Sequence, residues 1–155
     1  MRLLIAHSQH LFQAGPYEAL ARRLQSALAL AGHEAAEIRL PVSDDSPSEM
    51  KLALPLLDLS QAAEVPVDRL IALGGPLWGL GHPVRIAWVL DDTWTFRPPA
   101  DPSRRLDRRW LGGCRRVFAS HLDLALRLRR LAAVHATVLS PGRPDDDLVD
   151  ALTRP

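Results

Sequence analysis

The first forty residues limit the fold more than any other part of the chain. Met1-Arg-Leu-Leu-Ile-Ala6 is a short apolar run that reads as a buried strand. A loop containing Gly15-Pro16 follows, then a helical pattern over residues 16–31, then Gly32, then a second strand-like stretch through Ile38 and Leu40. Gly15 at the N-cap, Pro16 at the first helical position and Glu18 in the first turn form a start signal, and Gly32 forms a stop. Leu20, Leu24, Ala27, Leu28 and Ala31 recur at helical spacing and predict the buried face. Strand, turn, helix, stop, strand is the opening unit of an open parallel sheet. Such sheets bind ligands beyond the carboxyl ends of their strands, which puts the loop from His7 to Gly15 at a binding crevice.

The remaining pattern extends the sheet. Residues 50–59 read as a weak helix interrupted by Pro55, 69–73 as a third strand, 84–90 as a fourth and 115–119 as a fifth. Ser120 reads as the cap of a helix through residue 132, with Asp123 at the capping-box position, and residues 134–139 read as a sixth strand. The expected architecture is α/β: one Rossmann-like domain over residues 1–142, an open parallel sheet with helices on both faces. From Ser140 the chain becomes rich in Pro, Gly and Asp, and residues 143–155 read as the start of an interdomain linker or a tail.

Bulk composition narrows the function classes. The 155 residues suffice for one domain with a real core. A net charge of +1 makes no general case for nucleic acid. No stretch approaches the ~20 apolar residues of a membrane span, and the N-terminal apolar run is too short for a signal peptide. Cys114 is the single cysteine, which excludes a disulfide within the chain and fits a reducing cytoplasm. Between Ser103 and Arg130 arginines greatly outnumber the two acids, Asp107 and Asp123. That stretch is either a patch for phosphate or anionic headgroups, peripheral to a membrane, or a solvated helix face.

Candidate site residues cluster after the strands. Gly15 is either an anion loop at a helix N-terminus or a plain turn glycine. The dinucleotide and P-loop fingerprints are both absent. His7 and His10 lack a nearby acidic or Cys partner, so no metal site is expected and ligand contact or solvation is. Gly74-Gly75 opens a glycine- and proline-rich loop in which Trp78 either stacks on a ligand or covers the core. Asp91 and Asp92 follow the fourth strand, either as a carboxylate pair sharing a proton or as turn caps. Trp94, Phe96 and Arg97 lie close by in sequence.

Taken in order, these pieces resemble the N-terminal domain of family 4 retaining glycosyltransferases of GT-B fold. The matching segments are Met1 to His7, Gly15-Pro16 with Glu18, Ala31-Gly-His-Glu34, Asp68-Arg-Leu-Ile-Ala72, Pro76, His82-Pro-Val-Arg-Ile-Ala-Trp88, Arg116-Val-Phe-Ala-Ser120, and Val134 to Pro141. The resemblance implies an acceptor-holding domain that faces a nucleotide-sugar donor across a cleft, with no bound cofactor. It maps the donor-diphosphate loop to Ala14 and Gly15. It maps acceptor contacts to His7, His10, Gly75, Trp78, Asp92, Trp94, Arg97 and Ser120. The family's donor-facing histidine corresponds to Asp91, which when ionised cannot donate a hydrogen bond, so donor handling differs or activity is lost. The implied partners are the nucleotide sugar, a small-molecule or glycan acceptor, and a C-terminal donor-binding domain, either truncated away or carried by a separate chain. A face cut from that domain invites self-association. A second resemblance, to receiver domains, implies a degenerate protein-binding module. His7-Ser8 stands where receivers carry an acidic pair, and Asp58 is the mimic of the phosphoacceptor. A flavodoxin-like carrier would need a Ser/Thr-rich phosphate loop that residues 7–15 do not supply.

Overall fold

The computed structural model describes residues 1–8, 16–43, 46–57, 59, 66–91 and 101–155, with the side chains of Pro16 and Ser103 excepted. Six strands, β1 (Arg2–Ser8), β2 (Glu34–Leu40), β3 (Arg69–Leu73), β4 (Arg85–Val89), β5 (Arg116–Ala119) and β6 (Thr137–Val138), form one sheet in the order β2-β1-β3-β4-β5-β6. Every pairing is parallel. Five α-helices accompany it among the described residues: α1 (Pro16–Leu30), α2 (Ser48–Ala53), α3 (Pro102–Gly112), α4 (Leu122–Ala132) and α5 (Asp145–Thr153).

Parallel strands need crossover connections, so helices must cover both faces. Leu3, Ile5, Ile71, Leu73, Ile86 and Trp88 point to one face and pack against Leu20, Leu24 and Leu28 of α1 and Leu148 and Leu152 of α5. Their neighbours Leu4, Ala6, Leu70, Ala72, Ala87 and Val89 point the other way, onto residues of α3 and α4 such as Trp110, Leu124 and Leu128. The two-residue alternation of the strands thus sorts two cores.

Helix α1 begins and ends where its start and stop signals predict. Gly32 adopts φ +81°, and the N–H groups of Gly32 and His33 donate to Ala29 and Leu28 carbonyls at 3.0 and 2.9 Å. This double closure satisfies two of the helix's orphan carbonyls. Ala31 is exposed rather than on the buried face; Ala21 takes a buried place instead.

Elsewhere the boundaries differ for identifiable reasons. β1 continues through His7 and Ser8, which the sequence pattern places in the loop; both remain paired with β2, opposite Arg39 and Leu40. The weak second helix breaks into α2 and a 3₁₀ turn, Leu54–Leu56, with Pro55 near the turn's start, where its missing N–H costs no helical bond. Ser120 is not the cap of α4. His121 is, its Nδ1 accepting from the Leu124 N–H at 3.2 Å, while Ser120 Oγ donates to the Leu90 carbonyl at 3.0 Å. Asp123 pairs with Arg127 one turn on, at 2.8 Å. β6 keeps only two of the six residues that read as strand.

Within residues 143–155, where composition suggests linker, the chain forms α5 and returns to the sheet. Arg23 of α1 holds its start, reaching Asp145 at 2.7 Å and the Pro141 and Arg143 carbonyls, each at 2.6 Å. At its other end Arg69 donates to the Leu152 and Arg154 carbonyls at 3.0 and 2.6 Å, and Arg116 donates to Ala151 at 3.0 Å and to Pro155. Guanidinium groups there satisfy orphan carbonyls and oppose the negative end of the helix. Leu148 and Leu152 are fully buried. Leu148→Ala should cost about 2–5 kcal/mol, read as a lower urea midpoint at unchanged slope; a change near zero would mean that α5 is not part of the cooperative fold.

Candidate functional site

The strand order changes direction between β1 and β3, and in open α/β sheets that switch point, at the carboxyl ends, opens the binding crevice. The described rim residues are His7 and Ser8 ending β1, Gly74 and Gly75 after β3, Leu90 and Asp91 after β4, and Ser120 after β5. Tyr17, in the first turn of α1, joins them.

Tyr17, Gly74 and Asp91 form one unit. The Tyr17 hydroxyl donates to Asp91 Oδ2. Gly74 sits at φ +78° and its N–H donates to the Trp88 carbonyl at 3.0 Å. A Cβ there would lie 3.0 Å from the Tyr17 ring, so both the backbone angle and the ring's approach call for glycine. Ser120 adds to the same edge, because its N–H donates to Val89 and its hydroxyl to Leu90, both at 3.0 Å. The ends of β4 and β5 are thereby tied beside Asp91.

His7 lies deeper than a loop histidine would. It is 1% exposed, with Nδ1 3.1 Å from the Ser8 carbonyl and Nε2 3.0 Å from Glu37 Oε1. Both ring nitrogens face oxygens, and a neutral ring donates to only one of them. Burial by itself would raise the Glu37 pKa. Hydrogen bonds from His7 and from Arg39, at 2.6 Å, together with their charges, outweigh it and lower the pKa. His7 therefore anchors β2 to β1 beneath the rim.

Of the two readings of Trp78, the packing is that of a core residue. It is 1% exposed and its indole N–H donates to Asp107 of α3, itself buried, at 3.0 Å. Gly75 is also buried and forms a cis bond with Pro76. His10, Ala14, Gly15, Asp92, Trp94 and Arg97, with Asp58, lie outside the described residues. Tyr17 was not singled out from the sequence, although it is the one tyrosine and follows the proline that opens α1. Its meaning depends on Asp91, 74 residues away.

Among the described residues no group of three or more His, Cys, Asp or Glu could hold a metal ion, and no helix is long and apolar enough to cross a membrane. The arginine-rich stretch divides between α3, where Arg105, Arg108 and Arg109 are exposed, and α4, where Arg129 and Arg130 are. Cys114 is largely buried, and burial pushes its thiol up to about 11 against the opposing influence of Arg85. Comparison with known protein families finds no family model that matches the chain, and comparison with curated proteins finds no match.

Two outcomes follow from these environments. The Glu37 pKa is lowered on folding, so its contribution to stability is present above the ordinary glutamate value of about 4.3 and lost as pH falls through the folded value. Melting temperatures measured from pH 6 downward should show Glu37→Gln with a shallower acid-side decline than the parent; parallel declines would contradict the assignment. Cys114, held as a thiol, should react with a disulfide reagent at pH 8 far more slowly in the native protein than after unfolding in guanidinium. Equal rates would show that the thiol is not protected.

Proposed function

We infer that this chain is the acceptor-binding half of a retaining GT-B glycosyltransferase, acting on a nucleotide sugar only together with a donor-binding domain. The observation that carries the reading is the position of Asp91. It stands at the carboxyl rim of a parallel sheet, fixed by the Tyr17 hydroxyl beside Gly74, with Ser120 on the adjoining strand end. Rim groups of this kind suit polyhydroxylated ligands, because a carboxylate accepts from sugar hydroxyls and Ser and Tyr hydroxyls both accept and donate.

On this reading the transfer joins the anomeric carbon of the donor sugar to an acceptor hydroxyl or amine and releases the nucleoside diphosphate. Rate enhancement comes from holding the two substrates in line and stabilising the departing diphosphate. Ala14 and Gly15 are assigned to the diphosphate, at the loop that leads into α1. His10, Asp92, Trp94 and Arg97 are assigned to the acceptor, from the segments that follow β1 and β4. Asp91 faces the donor sugar as an acceptor of hydrogen bonds, a role distinct from that of the histidine found there in the family. The setting is the cytoplasm, where a lone thiol stays reduced, with the exposed arginines of α3 and α4 available to an anionic membrane surface.

A second reading has one specific observation in its favour. The order β2-β1-β3-β4-β5 is that of flavodoxin-like and receiver sheets, extended here by β6. On that reading the chain is a degenerate receiver-like module that binds proteins and lacks phosphorylation chemistry. Mixing the chain with separately produced GT-B donor-binding domains and assaying nucleotide-sugar turnover distinguishes the two. The transferase reading expects no turnover by the chain alone, turnover in a matched pair, and a loss of about a hundredfold with Asp91→Asn. Turnover by the unpaired chain, or full activity of the Asp91→Asn pair, would overturn it.

A further inference from the structure

At the amino ends of the strands, opposite the rim, a groove of about 480 Å³ opens between the 3₁₀ turn after α2 and helix α3. Its size falls within the range of small-molecule sites. Leu52, Pro55, Leu106 and Trp110 supply apolar walls, Arg85 and Arg109 the charge, and no acidic residue lines it.

Arg85 is the unusual member. It begins β4, and its guanidinium donates from Nη1 to the Leu80 carbonyl at 3.0 Å and from Nη2 to the Gly113 carbonyl at 3.2 Å. A Cβ on Gly113 would come within 2.8 Å of Nη2, so a larger residue there would displace the guanidinium from its present place. The two carbonyls fix the cation in place, yet its Nε is buried with no hydrogen-bond partner. No carboxylate among the described residues forms an ion pair with Arg85 or with Arg109. Buried donors are nearly always satisfied, and a held cation lacking a counter-charge is a ready partner for an anion.

We propose that this groove binds a single-chain amphipathic anion, its carboxylate or phosphate head against Arg85 and Arg109 and its apolar body along Trp110, Leu106 and Leu52. The head supplies the negative charge that the two guanidinium groups lack among the residues lining the groove, and the leucine- and tryptophan-lined walls take the chain. The site is independent of Asp91 and of the transferase reading, because it lies at the other end of the sheet.

The test uses the whole chain and three probes below their micellar concentrations: decanoate, decyl phosphate and uncharged decanol. The readouts are the Arg85 Nε–H and Trp110 indole resonances. Both anions should shift both signals saturably and bind about tenfold more tightly than decanol, the worth of one charge-assisted hydrogen bond. Since Arg85 also holds two backbone carbonyls, Arg109→Gln, at an exposed position, and Leu106→Trp, which fills the groove, serve as the variants. Arg109→Gln should weaken the anions and leave decanol unchanged; Leu106→Trp should weaken all three. Equal affinity for decanol and decanoate, unmoved Arg85 and Trp110 signals, or unchanged anion binding in a folded Leu106→Trp protein would each overturn the proposal.

Discussion

A sheet whose strands all run the same way can be covered only by the helices that carry the chain back between them, and it must be covered on both faces. In this protein that requirement accounts for the two cores. The alternating residues of β1, β3 and β4 divide between α1 with α5 on one side and, on the other, α3, α4 and Leu54 of the 3₁₀ turn. Helix α5 is essential to the balance, because without Leu148 and Leu152 part of the face under Phe118, Leu139 and Trp88 would lie open. Its polypeptide is also the most heavily tethered: Arg23 holds the approach, and Arg69 and Arg116 collect the carbonyls at its end. These arginines belong to a helix and to two strands far away in sequence, which is why the segment reads locally as linker.

The same parallel geometry concentrates chemistry at one end. Side chains that follow successive strands arrive at a common rim, so Gly74, Asp91 and Ser120 become neighbours without any sequence proximity. Tyr17 completes the group from the first turn of α1. Beneath them, His7 and Glu37 join β1 to β2 through a part-buried hydrogen bond, and Trp78 and Asp107 join the loop after β3 to α3 through a buried one. Both pairs place polar atoms inside the protein with partners, so they secure the rim instead of forming its surface.

Much of the architecture was legible in order of appearance. The first strand, the first helix with its glycine stop, and the strands beginning near residues 69, 85 and 116 follow from apolar runs and turn residues, signals that operate over a few neighbours. Three kinds of feature escaped. His7 and Ser8 stay in β1 because β2 supplies pairing and a carboxylate. His121 caps α4 because Ser120 is drawn to the Leu90 carbonyl. The helix between the fourth and fifth strands has no readable bounds or buried face, because the arginines of α3 obscure the buried positions of Asp107, Trp110 and Leu111. In each case a residue's local preference is overridden by a partner supplied from elsewhere in the chain.

The division between sequence and fold is therefore one of range. The αβ alternation, the parallel class of the sheet and the positions at which the chain turns can be read from the residues alone, because strand period, helix spacing and glycine conformation are local properties. The tertiary structure alone decided the strand order, the meeting of Tyr17 with Asp91, the burial of Trp78 and the return of α5 onto the sheet. Those depend on contacts between residues tens of positions apart, and such contacts form only when burying both faces of the sheet outweighs the entropy lost in closing the chain between them.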